Sequence, residues 1–227
     1  MTHDAPHRPD RRHLLAMTAA AAAFLPRPLM AQSAGPRILA FGDSLTAGFG
    51  LPRNQGLVPV LSDWLARRGS PARISNAGLS GDTTYGGRVR IGWALRQGAD
   101  AVMVELGGND MLLGWTAARA EANLDAILAS AKARNRPVLL IGIHAPAGAP
   151  EWRRSWAEMW PRLAQRHDVL LLPDLYAPLA AVPRENRAPL LQRDGIHPSA
   201  QGVRLIVDQL GPKVRELVAA ADAAAPG

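Results

Sequence analysis

Four short polar stretches carry the residue types that acyl-transfer chemistry requires. GDSLTAG (42–48) presents Ser44 directly after the apolar run RILAF. A serine there fits a nucleophile at the end of a buried strand, and it equally fits a residue that caps a helix. The nucleophile elbow pattern Gly-x-Ser-x-Gly is not met, because Thr46 stands where its second glycine would be. A serine nucleophile needs a base for its proton, and histidine is the usual one. Of the six histidines, His3, His7 and His13 lie in an N-terminal segment with the features of an export signal. His167 ends a helical segment, where interaction with the last carbonyls is expected. His144 follows an apolar run but has no carboxylate near it in sequence. His197 has Asp194 three residues before it, in a turn ahead of a helix. That spacing lets the carboxylate accept from Nδ1–H while Nε2 faces outward.

An oxyanion needs fixed donors. Gly81, in GLSGDTT (78–84), offers a backbone N–H without an obstructing side chain. Asn109, in GGND (107–110), offers a side-chain amide on a loop that Gly107 and Gly108 allow to come close. The Ser44 N–H, at a helix start, is a third candidate.

These stretches must be carried by a scaffold that brings them together. Apolar runs at 37–42, 73–78, 101–107, 138–143 and 169–173 alternate with segments of helical spacing. In 57–68, Val60, Leu61, Trp64 and Leu65 share a face. In 117–134, Ala120, Leu124, Ile127, Leu128 and Ala131 do so. In 151–167, Trp152, Trp156, Met159, Trp160 and Leu163 do so, interrupted by Pro161, and the three tryptophans are expected as core or lid. A last helix is expected over about 199–220. Continuous apolar strands separated by helices predict a five-stranded parallel sheet in a three-layer α/β/α domain. Right-handed crossovers place all strand C-termini on one edge, where the polar stretches would meet. Asp82 is expected to cap the following helix, and Glu105, inside a strand, to have a structural partner such as a backbone amide or an arginine.

FGDSLTAGFGLP, NAGLSGDTT, VELGGND and DGIHPSAQG, in this order, resemble the four signature blocks of the SGNH (GDSL) hydrolase superfamily. They are most similar to its bacterial arylesterase and thioesterase–lysophospholipase branch, over roughly 37–218. The resemblance implies a flavodoxin-like fold, Ser44 as nucleophile, Asp194 and His197 completing a triad, and Ser44, Gly81 and Asn109 as oxyanion donors. It gives Asp43 a supporting role on backbone groups of the loops. It also implies hydrolysis of carboxylic esters or thioesters without cofactor or metal. Carbohydrate deacetylation, as in other branches, and a binding relative without turnover are the alternatives. The stretch IHAPAGAPEW (143–152) departs from the branch, which makes His144 a candidate pocket residue. Met111, Leu112, Leu113 and Trp115 follow Asn109, where relatives carry a substrate loop, and suit an acyl chain or simple packing under the next helix.

The chain has 227 residues, no cysteine and a net charge of +7. RRHLLAMTAAAAAFLP, followed by AQSA, has the order of a cleaved export signal over 1–33, with Arg11 and Arg12 pointing to the twin-arginine route. A periplasmic or secreted protein is expected, with the hydrolase domain over 34–220 and a disordered tail over 221–227. The segment 1–33 holds four arginines against two aspartates, leaving +5 on the remainder. Arginines are scattered among acids, with no basic block interleaved with aromatics, so nucleic acid is not an expected partner. No other segment approaches membrane length, so stable insertion is not expected. The expected partner is a small ester or lipid substrate.

Overall fold

In the computed structural model, residues 35–145 and 147–225 are described, together with Met1. The segment 1–33 otherwise lies outside the described residues. Each apolar run forms a strand: β1 (Arg37–Gly42), β2 (Arg73–Gly78), β3 (Ala101–Glu105), β4 (Val138–Ile141) and β5 (Leu170–Leu172). All pairings are parallel, in the order β2-β1-β3-β4-β5. This is the flavodoxin-like order. The strand residues Ile38 to Phe41 and Ala101 to Glu105 are buried throughout, which is why these runs lack polar alternation. β2 lies at the edge, and its Ser75 and Asn76 are exposed. The runs at 101–107, 138–143 and 169–173 leave the sheet earlier than expected, at Glu105, Ile141 and Leu172, and their last residues build the loops of the site.

The helices are α1 (Ser44–Ala47), α2 (Leu57–Arg67), α3 (Thr84–Ala94), α4 (Gly108–Leu112), α5 (Ala117–Lys132), α6 (Pro150–His167), α7 (Ala177–Ala180) and α8 (Ala200–Ala224). α5 packs between α3 and α6, and α2 packs on α8, giving the two outer layers. In α2 the buried stripe starts at Leu57 and Val58, and Val60 is only partly buried. In α6, Trp156, Met159, Trp160 and Leu163 are buried and Trp152 is partly so. α6 continues through Pro161 although that residue cannot donate to the Ala157 carbonyl. α8 runs to Ala224, four residues into the stretch expected to be a tail, and Ala221 is buried there. Residues 226–227 lie outside the described residues. No described helix is long and apolar enough to cross a membrane.

The chain reverses direction across the sheet between β1 and β3. Such a switch point opens a crevice at the strand C-termini. β1 delivers Ser44 to that crevice and β3 delivers Asn109.

Candidate active site

Asp43, not Ser44, caps α1: its Oδ1 accepts from Leu45 N at 3.0 Å. Ser44 is the first helical residue, so its hydroxyl is released from capping. Its Oγ lies 2.8 Å from His197 Nε2, and His197 Nδ1 lies 2.7 Å from Asp194 Oδ2. Asp194 is itself held, because Oδ1 accepts from Ile196 N at 2.9 Å and His197 N at 3.0 Å. Gly195, between them, takes φ +68°, a left-handed turn that favours glycine. The hydrogen bond from His197 and the adjacent backbone amides lower the Asp194 pKa to about 2, so it remains a carboxylate at any working pH.

Gly81 and Asn109 face the same crevice. Gly81 has φ +82°, and its N–H makes no hydrogen bond to a described residue; neither does that of Ser44. Asn109 Nδ2 donates to the Asp82 carbonyl at 2.8 Å and to Asp43 Oδ2 at 3.1 Å. Burial raises the Asp43 carboxyl to about 6, against the lowering effects of the Leu45 N–H and the His197 charge.

The surrounding loops are tied by residues that sequence reasoning passed over. Arg90 of α3 donates to Asp82 Oδ2 at 2.6 Å, to the Ala77 carbonyl at 2.8 Å and to the Gly42 carbonyl at 2.8 Å. It thereby fastens the Gly81 loop to the ends of β1 and β2. Asp82 therefore does not cap α3 as expected; its carboxylate is taken by Arg90, and Thr83 caps the helix by accepting from Gly86 N. Asp110, fully buried beside Asn109, accepts from Thr84 N at 2.9 Å and Thr84 Oγ1 at 2.5 Å. Gln192 donates to the carbonyls of Phe49 and Pro198, and Tyr176 donates to the Ile196 carbonyl at 2.9 Å. Both steady the His197 turn, against which the Phe49 ring lies at 4.7 Å between centroids. Several of these partners lie far apart in sequence, and even the nearer pairs, Asp82–Arg90 and Gln192–Pro198, follow no spacing that announces them.

Two expectations are corrected here. His167 Nε2 lies 3.0 Å from Asp125 on α5 instead of meeting the carbonyls of its own helix. Leu113 and Trp115 do not line the cavity; Trp115 stacks under the Arg119 guanidinium, 3.5 Å from the ring centroid, and its carbonyl accepts from Trp152 Nε1. Glu105 has the structural partner expected of it, a backbone amide: its Oε2 accepts from Asp43 N at 3.5 Å, and also from the Thr46 hydroxyl at 2.8 Å.

The cavity in front of Ser44 has a volume of about 970 Å³. Phe49, Met111, Leu112, Ile143, Leu179 and Leu190 give it an apolar lining. His144 lines it as well, its Nδ1 3.5 Å from Asp174 Oδ2, a carboxylate supplied by the loop after β5.

The sequence profile of the GDSL-like Lipase/Acylhydrolase family matches residues 40–205. Esterase TesA of Pseudomonas aeruginosa is 32% identical over 192 residues, covering 84% of this chain and 93% of its own. Thioesterase 1/protease 1/lysophospholipase L1 of Escherichia coli is 33% identical over 189 residues, covering 82% and 86%. A crystal structure of TesA superposes with a TM-score of 0.73 at 32% identity, covering 80% of this chain and 99% of that one. AlinE4, an SGNH-hydrolase family esterase, gives 0.66 at 39% identity, covering 80% and 96%. The sequence match over most of the chain and the shared three-layer fold lead to one assignment: the chain belongs to the GDSL-like lipase/acylhydrolase family and is a hydrolase of ester bonds.

Proposed function

We propose that the chain is an exported serine esterase acting on acyl esters or thioesters of short to medium chain length, aryl esters included, through an acyl-enzyme. Ser44 Oγ attacks the substrate carbonyl as its proton passes to His197 Nε2. Asp194 holds the imidazole with Nδ1–H toward its carboxylate and stabilises the imidazolium that forms. The tetrahedral oxyanion is received by the N–H groups of Ser44 and Gly81 and by Asn109 Nδ2. Both Asn109 protons already have acceptors, so the oxyanion must draw one away from Asp43 or the Asp82 carbonyl. His197 then gives its proton to the leaving oxygen or sulfur as the carbonyl–leaving-group bond breaks. Water, deprotonated by the same imidazole, attacks the acyl-enzyme and frees Ser44.

The observation that carries this reading is the unbroken line from Asp194 Oδ2 through His197 to Ser44 Oγ, at 2.7 and 2.8 Å. The apolar lining beside Ser44 favours an acyl chain over a sugar, and the two named relatives are an esterase and a thioesterase–lysophospholipase. Export rests on the residues of segment 1–33 alone.

Fluorophosphonate labelling tests the chemistry. Wild type should be labelled and Ser44→Ala should not; equal labelling of both would end the reading. Nitrophenyl esters from acetate to palmitate, set against acetylated xylan, test the substrate class. A preference for the xylan would overturn the acyl-ester assignment. Recovery from the periplasm of a chain shortened by about 30 residues tests export.

A further inference from the structure

Behind the Ser44 turn sits a carboxyl that the chemistry above does not use. Glu105 ends β3 and is 1% exposed. Its Oε2 accepts from Thr46 Oγ1 at 2.8 Å and lies 3.5 Å from Asp43 N, while Oε1 has no partner among the described residues. Burial, with the neighbouring Asp43 charge adding to it, pushes the Glu105 pKa well above the ordinary carboxylate range. Asp43 and Thr46 stand on either side of Ser44. A single oxygen therefore grips the turn both before and after the serine. Gly42 is pressed against the same group: a Cβ there would come 2.1 Å from Thr46 Oγ1 and 2.7 Å from Glu105 Oε2.

The turn needs such a grip. α1 has four residues, too few to be held by its own hydrogen bonds. Thr46 stands where a Gly-x-Ser-x-Gly elbow has its second glycine, and its hydroxyl reaches Glu105 instead. Packing alone does not account for Glu105, because a methionine would fill comparable space without leaving an unpartnered buried oxygen.

We propose that Glu105 is a positioning residue for the nucleophile. By accepting from the Thr46 hydroxyl and the Asp43 N–H, it fixes the turn so that Ser44 Oγ meets His197 Nε2. The inference rests on the serine-hydrolase reading above. It predicts that the acceptor oxygen matters and that a charge does not.

The test compares Glu105→Met, Glu105→Gln and Thr46→Val in the full chain, measuring kcat and KM for nitrophenyl butyrate, the pH profile and Tm. Glu105→Met should lower kcat by about 10- to 100-fold, the size expected of a slightly misplaced nucleophile, with KM little changed. Glu105→Gln, which keeps a neutral acceptor, should restore most of kcat with the wild-type pH profile. Thr46→Val should match Glu105→Met, and the double variant should be no slower than either, as for two ends of one contact. Wild-type kcat in Glu105→Met overturns the proposal. So does a Glu105→Gln variant as slow as Glu105→Met, or one with a shifted pH profile. If Glu105→Met does not fold, Thr46→Val against Thr46→Ser carries the same contrast, and wild-type kcat in Thr46→Val is then the overturning result. Ser44→Ala, run in parallel, separates the two levels: hydrolysis by that variant removes the serine reading itself. An inactive Ser44→Ala beside a fully active Glu105→Met removes only the role of Glu105.

Discussion

Asn109 Nδ2 lies 3.1 Å from Asp43 Oδ2, so the amide aimed at the crevice is held by a buried carboxyl. The carboxyl and the amide come from the ends of β1 and β3, on the two sides of the switch point. Removing the amide should leave binding and lower the chemical step. Asn109→Ala is expected to reduce kcat by about 10²- to 10³-fold, the scale for a side-chain oxyanion donor, with KM nearly unchanged. Steady-state kinetics on a soluble nitrophenyl ester check this, and near-wild-type kcat would take Asn109 out of the hole.

The same carboxyl carries a pH signature. The Asp43 pKa is about 6 in the folded chain against an ordinary 3.8. The folded state therefore holds its proton more tightly than the unfolded one. Its contribution to stability is full below about 3.8 and is lost as pH rises through 6, with a total of about 3 kcal/mol. Asp43→Asn should gain on wild type by up to that amount between pH 4 and 7 while losing activity. Urea unfolding at both pH values measures the change, and a difference that does not move with pH contradicts it.

Asp194 titrates in the opposite sense. Its pKa of about 2, below the ordinary value through its bond to His197, keeps the carboxylate charged in the folded state until the pH falls through 2. The loss of activity on the acid side should thus occur well above the Asp194 titration. Asp194→Asn should cost up to about 10⁴-fold in kcat, because an amide no longer fixes the imidazole tautomer. A variant within tenfold of wild type would show that His197 is oriented by something else.

Arg90 serves three acceptors from β1, β2 and the Gly81 loop, and its Asp82 partner is nearly buried. Arg90→Ala leaves that carboxylate and two strand-end carbonyls unpaired, a loss of about 3 kcal/mol, read as a lower Tm. Arg90→Lys should recover only part of it, since an ammonium cannot span the fork. Equal Tm for Arg90→Lys and wild type would contradict the reading.

Trp156 and Trp160 are both buried, yet among the described residues only Trp160 Nε1 has an acceptor, the Ile143 carbonyl at 3.0 Å. Trp160→Phe removes a hydrogen bond and leaves a buried carbonyl unpaired; Trp156→Phe removes an unpaired donor. Trp160→Phe should therefore be the more destabilising by about 1–3 kcal/mol, and the reverse order in denaturant unfolding would be a failure of this account.

Much of the scaffold was legible because apolar periodicity is a local property. RILAFG, AVMVE and VLLI are continuous because both faces of the sheet are covered, and Leu124, Ile127 and Leu128 repeat at helical spacing because one face of α5 is buried. Asp194 and His197 were legible for a similar reason: three residues in one turn suffice to bring them together. His167 misled, because its partner Asp125 lies 42 positions away on another helix. Asp82 misled too, since a cap position eight residues before an arginine gives no hint that the guanidinium folds back.

The sequence by itself determined the alternation of strands and helices, the polar loops after the strands, and the residue types those loops carry. Only the tertiary structure decided what these residues meet. Packing of the turn ahead of α8 against the end of β1 brought Ser44 and His197 together across 153 positions, and pairing of β1 with β3 turned Thr46 from a missing glycine into the donor that grips Glu105. Patterns of burial are written along the chain one turn at a time. Hydrogen-bond partners across strand ends exist only once the sheet order is set.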